Sequence, residues 1–366
     1  MNLRRLCLAL LGLGWLGGAA PPSPPVDLQA LLADSPAPTL QAYRLFEGPG
    51  VGRPNRGVTA YALNTPLFSD YALKQRYLFL PPGAHATYAA AGVLDFPVGA
   101  TLVKTFAYPA DFRSPDRDVR LLETRLLIHK STGWSALTYV WNPEQTRADL
   151  KRAGQRLPVE FVDADGSKRS LDYLVPNQNQ CKECHSQEGV LSPIGPKARN
   201  LNGYLSQQRG GENQLVRWSR LGMLKGAPPL TAIGRTARWD DAAEPLSARA
   251  RAYLDANCGH CHSPAGLASN SGLYLNWEEN NASALGLRRR PVAAGRGAGD
   301  LLYDIDPGRP ETSILTYRME SVEPGVMMPQ IGRSVVHREG VALVKRFIAS
   351  MAATPGSLVN QARAGP

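Results

Sequence analysis

Short apolar runs separated by proline and glycine dominate residues 41–175. Many of these runs alternate apolar and polar residues or are rich in β-branched and aromatic residues, which is typical of strands. The segments with this pattern are residues 77–80, 101–106, 120–129, 136–141, 159–162 and 170–175. Ser-Thr-Gly separates the third and fourth segments, and Asp165-Gly166 lies between the last two, so each pair predicts a hairpin. Several short strands with such turns predict a β-rich, sandwich-like domain at 41–175.

Apolar residues recur at helical spacing in three windows of the C-terminal half. Residues 213–224 carry one apolar stripe, and residues 248–257 carry another behind Ser247, a candidate N-cap. The third window has the clearest amphipathic face of the chain, formed by Val341, Val344, Phe347, Ile348 and Met351. These windows predict that a mainly α domain at 241–355 follows the β-rich domain.

The pattern Cys-x-x-Cys-His occurs twice, at 181–185 and at 258–262. It is the attachment signature of c-type haem, in which each thiol adds to a porphyrin vinyl group and the histidine ligates the iron. The residues predicted to attach and ligate haem are Cys181, Cys184, His185, Cys258, Cys261 and His262. The sequence therefore predicts two covalently bound haem c groups, one in a segment at 176–240 and one in a cytochrome c-like domain at 241–355. Because Pro176 opposes helix at and before its own position, the first motif is expected to emerge from a loop.

Two other kinds of site contain Cys-x-x-Cys pairs. A zinc ribbon separates its two pairs by about 15–20 residues, whereas Cys184 and Cys258 are much farther apart. A thioredoxin-like redox site needs one pair and no following histidine. The sequence therefore favours haem attachment over both alternatives.

A sixth iron ligand is predicted for the second haem at Met328, with Met327 as a packing residue and Met319 in reserve. Thioether sulfur is a common axial ligand in cytochromes c, and Pro329 would help to fix the loop that carries it. For the first haem Met223 is the candidate, and a packing role for this side chain is equally compatible with the sequence. If no side chain binds there, the first iron is five-coordinate and open to small ligands.

The loops that follow the motifs contain Pro193, Pro196 and Pro264. In cytochromes such loops present a backbone carbonyl to the imidazole N–H of the iron-ligating histidine, although ordinary turns explain these prolines equally well. Of the remaining histidines, His260 is expected to meet solvent or a haem propionate, and His337 is expected to lie on the surface.

The N-terminus predicts export. Residues 1–20 have a charged start, an apolar run and a small-residue cleavage site, as a secretory signal peptide does, and residues 21–40 predict an extended leader rich in proline and alanine. Of the five cysteines, Cys7 falls within the signal and the other four lie in the two motifs. None therefore remains for a disulfide framework. These features predict a periplasmic protein with no transmembrane anchor.

The formal net charge of +10 bears on possible partners. Outside the cytoplasm, nucleic acid is not an expected partner. A basic surface serves solubility, or it steers the approach of an acidic redox protein.

Nine further strings of the sequence extend the comparison beyond the haem motifs. They are residues 63–71, 96–99, 104–106, 123–127, 139–142, 176–180, 193–202, 271–273 and 327–329. Through these strings the chain resembles a family of proteobacterial dihaem c-type cytochromes, the Shewanella-like dihaem cytochrome c family. The resemblance implies two covalent haems, export and electron transfer, with a parallel β-helix repeat protein as a partner.

Three functions are compatible with the sequence. The first is periplasmic one-electron transfer with a redox partner. The alternative is a dihaem enzyme similar to peroxidases, with the first haem as an open reactive site. The third is a binding module in which the β-rich domain holds a polysaccharide or a surface protein.

Overall fold

The computed structural model of the 366-residue chain describes residues 23–205 and 211–351. The predicted signal peptide at 1–20, including Cys7, lies outside the described residues. Within the two described ranges, no helix has the length and apolar character needed to cross a membrane.

One antiparallel sheet forms the centre of the N-terminal half. The strands of the described chain are β1 (Val58–Ala60), β2 (Leu73–Phe79), β3 (Ala86–Thr87), β4 (Thr101–Pro109), β5 (Val119–Lys130), β6 (Gly133–Trp141), β7 (Ala148–Leu150), β8 (Gln155–Val162), β9 (Lys168–Val175), β10 (Ser186–Gln187), β11 (Val190–Leu191) and β12 (Leu224–Lys225). The sheet has the order β1-β2-β4-β5-β6-β7, and β8 pairs with β9 in a separate ribbon. Both predicted hairpins, β5–β6 and β8–β9, are confirmed.

One face of the sheet is fully covered by the chain that precedes it. Leu31 is 1% exposed and packs with Tyr43, Tyr139 and Leu126 in a single apolar cluster. Asp27 caps the short helix that carries Leu31, because its carboxylate accepts a hydrogen bond from the backbone of Ala30. The described part of the predicted leader is therefore not an extended tether but one layer of the core.

The opposite face is covered only at its two ends. At one end the β8–β9 ribbon packs on the sheet, with the rings of Phe106 and Tyr173 6.2 Å apart. At the other end Leu78 and Leu102 pack with Trp218 of a later segment. The prediction of a β-rich N-terminal half is confirmed, but the second layer is a two-stranded ribbon and helical segments, which leave the middle of this face uncovered.

The helices are short and scattered through the described chain. They are α1 (Leu28–Leu32), α2 (Gln178–His185), α3 (Ala198–Leu201), α4 (Gln214–Arg220), α5 (Leu246–Leu254), α6 (Ile314–Glu320) and α7 (Arg338–Ser350). The predicted helical windows correspond to α4, α5 and α7, and the predicted apolar face of α7 is buried. The N-cap of α5 is Pro245, so Ser247 lies inside the helix.

The prediction of a mainly α haem domain at 241–355 is wrong. Helices α5, α6 and α7 share one apolar cluster, but the long segment between α5 and α6 has almost no regular helix. Gly286 shows why this segment cannot be helical. Its φ of +86° is left-handed, and a Cβ there would lie 2.7 Å from Leu273 and 2.9 Å from Asp304.

Candidate functional site

The first Cys-x-x-Cys-His motif lies in helix α2, not in the loop that the sequence predicts. Asn177 is the N-cap, and its side chain accepts a hydrogen bond of 2.9 Å from the backbone of Gln180. The side chain of Gln180 in turn accepts one of 3.0 Å from the backbone of Asn177. This reciprocal capping box starts the helix directly after Pro176. Pro176 therefore lies outside the helix and does not prevent it from forming.

The second motif begins where α5 continues into a π-helical turn, Asp255–Gly259. Asp255 fixes this turn because its buried carboxylate accepts a hydrogen bond from the backbone of Trp277, 3.0 Å away. The same carboxylate is 3.2 Å from Lys197 Nζ and 3.0 Å from Arg199 Nη2. Asp255 thus joins the second motif to the segment that follows the first motif.

Each motif histidine is held by its Nδ1 atom. Nδ1 of His185 lies 2.9 Å from the carbonyl of Ser192, directly before Pro193, which agrees with the predicted role of that loop. Nδ1 of His262 lies 3.2 Å from the carbonyl of Leu273, so the carbonyl does not come from the loop at Pro264. An imidazole that donates from Nδ1 to a carbonyl presents the lone pair of Nε2 to a metal.

Burial favours the neutral, ligating form of both rings. It lowers the pKa of His185 to about 3 and also lowers the pKa of His262. Among the described residues, neither Nε2 atom forms a hydrogen bond within the chain. Both histidines therefore have the tautomer and charge that an iron ligand requires.

A large cavity lies against the uncovered middle of the sheet. The space between its walls amounts to about 1800 Å³ when the part that is open to solvent is included. Both motifs contribute to its wall, through Cys181, Cys184, His185, Cys258 and His260. Apolar side chains from the sheet and from α7, Leu102 and Val341 among them, line much of the rest.

The two motifs are neighbours in space. The backbone N–H of Glu188, after the first motif, donates to the carbonyl of Ala265, after the second, at 2.9 Å. Burial raises the pKa of Cys184 to about 12, and the nearby thiol of Cys261 contributes to this rise. Residues 77 positions apart in the chain are therefore brought to one place.

The donor set fits haem c better than a bare metal ion. All four described cysteines are free thiols, which is the form that adds to vinyl groups. In the part of the chain that the structure describes, no three His, Cys, Asp or Glu side chains are grouped as direct ligands of one ion, so the two cysteine pairs do not form a zinc ribbon. Haem c requires only two thiols and one imidazole per site, because the porphyrin supplies the other iron ligands.

The methionines fall into two groups. Met328 and Met319 line the cavity, whereas Met327 is buried, with 8% exposure, and does not line it. The structure does not bring Met223 to the motifs. That side chain packs near Trp218, and its sulfur is 3.7 Å from the hydroxyl of Thr59.

A buried arginine holds the loop that carries Met328. Nη2 of Arg333 donates to the carbonyl of Met328 at 2.9 Å and to that of Ser321 at 2.8 Å. The backbone of Met328 also donates to the carbonyl of Arg318 at 2.9 Å. The position of the Met328 side chain at the cavity is therefore fixed by its own backbone.

Two other histidines, His337 and His260, are both buried. His337 is buried, not on the surface as predicted. Its ring stacks on Phe68 at 4.1 Å, and its Nδ1 lies 3.0 Å from the hydroxyl of Tyr253. His260 is also buried at the cavity, and its Nδ1 has no hydrogen-bond partner in the described chain.

Sequence reasoning missed the cationic part of the cavity wall. Arg76, Lys104 and Arg125 line the cavity from three strands of the sheet. Burial lowers the pKa of Lys104 to about 7, and the neighbouring arginines add to the effect. The available signal was a cation within each of three strand segments, with a hydrophobic residue directly next to it.

Many of the strings that carry the family resemblance converge on this cavity. Its wall includes Phe68, Lys104 and Arg125, and it includes Lys197 and Met328 from the strings at 193–202 and 327–329. No protein-family model matches the chain, and neither does any curated protein or solved structure. The membership inferred from the sequence therefore stays a prediction, and the functional argument depends on the geometry of the site.

Proposed function

We propose that this protein is a periplasmic dihaem c-type cytochrome that transfers single electrons to or from a redox partner. One observation carries the proposal. Two Cys-x-x-Cys-His motifs lie side by side, the first on the cavity wall with both cysteines and His185, the second with Cys258 but not with Cys261 or His262. Each motif histidine is oriented by a carbonyl bond to its Nδ1 atom. Haem, when bound, supplies a one-electron iron couple at each site.

The side chains have separate tasks in this proposal. The thiols of Cys181 and Cys184 hold one haem, and those of Cys258 and Cys261 hold the other. His185 and His262 supply Nε2 to the iron atoms. Met328 lines the same cavity and would supply its sulfur as a further iron ligand. A thioether ligand raises the reduction potential of such a centre.

The contact between the two motifs supports electron transfer between the two haem sites rather than two isolated centres. The backbone bond between Glu188 and Ala265, together with the proximity of Cys184 and Cys261, fixes the two attachment sites relative to each other. Largely apolar walls keep water away from much of the cavity, which limits the solvent reorganisation that accompanies a change of charge. The excess of basic residues favours an acidic partner protein.

Exported protein made together with a c-type maturation system tests the proposal directly. We expect its mass to exceed that of the mature chain by two haem groups, and its reduced spectrum to show the bands of haem c. A colourless protein with an unmodified mass would contradict the proposal. Peroxide turnover by the loaded protein would instead favour the peroxidase-like alternative, in which the first iron is an open reactive site.

Replacing Met328 with alanine should abolish the sulfur-to-iron charge-transfer band of the oxidised protein, because Met328 lines the cavity that Cys258 of the second motif also lines. The matched control is Met327→Ala. That variant removes the neighbouring, buried thioether and should keep the band. Retention of the band in Met328→Ala would show that the second iron has a different sixth ligand.

A further inference from the structure

Three cations form a row across the cavity side of the sheet. Arg76 of β2 is directly opposite Lys104 of β4, and Lys104 is directly opposite Arg125 of β5. Residues paired in this way point to the same face. Since neighbouring strands are about 4.8 Å apart, the row extends over roughly 10 Å of the cavity wall.

Two of the three cations in the row have no negatively charged partner. Arg125 has a partner, because its Nε atom lies 2.9 Å from the carboxylate of Glu123, which also accepts a 2.7 Å hydrogen bond from Tyr173. Within the described ranges, the side chains of Arg76 and Lys104 form neither an ion pair nor a hydrogen bond. The ammonium of Lys104 lies 4.8 Å from the centre of the Phe106 ring, which is not an anion. Cations without an anionic partner in a low-dielectric cavity are costly, so an anionic ligand is expected there.

The rest of the cavity does not supply that anion. Asp255 is the acidic residue among the described lining residues, and Lys197 and Arg199 already pair with it. The missing charge must therefore come from a ligand that enters the cavity.

The row adjoins the first haem motif. Cys181 and Cys184 both lie close enough to Arg125 and Lys104 for these cations to affect the thiols, and all four residues line the same cavity. Arg76 stands at the far end of the row, two strands away from Arg125. A ligand anchored at the cysteines would thus extend along the row.

We propose that Arg76 and Lys104, with Arg125 beside them, bind the propionate carboxylates of the haem attached at Cys181 and Cys184. The inference rests on the function proposed above and names the residues by which the sheet recognises the cofactor. Guanidinium and ammonium groups form strong charge-assisted hydrogen bonds with carboxylates. The β-rich half is then part of the haem site and not a separate binding module.

Resonance Raman spectroscopy of the loaded protein tests this assignment, because the propionate bending band responds to hydrogen bonds at the carboxylates. Mass spectrometry first confirms that two haems are present, which separates a failure of this inference from a failure of the proposed function. In the wild-type protein we expect the band of one haem to differ from that of a solvent-exposed haem peptide. If the propionate bands of both haems coincided with the band of that peptide, the proposal would be wrong, and no variant would be needed to show it.

The double variant R76Q/K104Q should move that band to the position seen in the haem peptide, and the charge-retaining R76K/K104R should not. Loss of two cations should also lower the reduced-to-oxidised ratio of one haem by at least about tenfold at fixed potential, or about 59 mV for a one-electron couple. An unchanged band in R76Q/K104Q would refute the assignment.

Lys74→Gln is the matched control. Lys74 is a half-buried cation on the same strand and the same face as Arg76, but it does not line the cavity. The control should retain the wild-type propionate band. If the control moved the band as far as R76Q/K104Q does, the effect would be a general loss of charge, and the proposal would be wrong.

Discussion

Replacing both cysteines of one motif with alanine should remove one haem and leave the other in place. In C181A/C184A the first site loses both thioether anchors but His185 remains, and C258A/C261A leaves His262 in the same way. A single imidazole ligand does not retain haem through denaturation, whereas a thioether bond does. Each variant should therefore carry half of the wild-type covalent haem, measured by mass after denaturation.

Ser186→Ala is the control for this experiment, because it changes the side chain directly after the first motif without removing a sulfur. It should keep both haems. If either cysteine-pair variant retained two haems, the corresponding pentapeptide would not be an attachment site.

Replacing Asp255 with asparagine should destabilise the protein by about 3–5 kcal/mol, the range for removing one partner of a buried ion pair. Asp255 is 6% exposed, and its loss leaves Lys197 and Arg199 without their shared carboxylate. Chemical denaturation of wild-type and variant proteins with equal haem content measures the difference. Asp240→Asn is the control. It breaks a surface pair with Arg238 and should cost only about 0–1 kcal/mol.

The effect of Asp255→Asn should depend on pH. Burial alone would raise the pKa of Asp255, but Lys197, Arg199 and the backbone N–H of Trp277 together lower it below its ordinary value. A carboxyl group with a lowered folded-state pKa stabilises the protein above its unfolded value of about 3.9, and this contribution is lost as the pH falls through the folded value. The stability difference between wild type and variant should therefore shrink below about pH 4. A difference that stays constant to lower pH would contradict the ionised role of Asp255.

The strands and the last helix were predictable because their apolar residues repeat with a clear period. The start of α2 was also predictable, since Asn177 and Gln180 have the spacing of a capping box. A loop was instead predicted there because of Pro176. The error shows that a proline before an N-cap does not exclude a helix that begins after it.

The irregular segment between α5 and α6 was not predictable in the same way. Contacts without any period hold it in place. For example, Nη2 of Arg251 donates to the carbonyls of Asn276, Trp277 and Glu279. The helical windows at 248–257 and 341–351 predicted a mainly α domain, but their periodicity carries no information about the residues between them.

The residues predicted to attach haem were visible in the sequence, whereas the cavity was not. A pentapeptide is local, and its chemistry can be read without a fold. The row of Arg76, Lys104 and Arg125 exists only after β2, β4 and β5 pair in one register. Its residues are far apart in the chain, so only the folded sheet shows that they lie side by side.

The covered face of the sheet has a consequence for the order of maturation. Its apolar cluster runs from Val26 to Ala148, so this layer is complete before the ribosome has synthesised Cys181. Met328 and Val341, which help to close the cavity, are made last. In the proposed cytochrome, a chain that folds from its N-terminus can complete this platform while both pentapeptides are still accessible, so that haem attachment can precede the packing of the C-terminal helix.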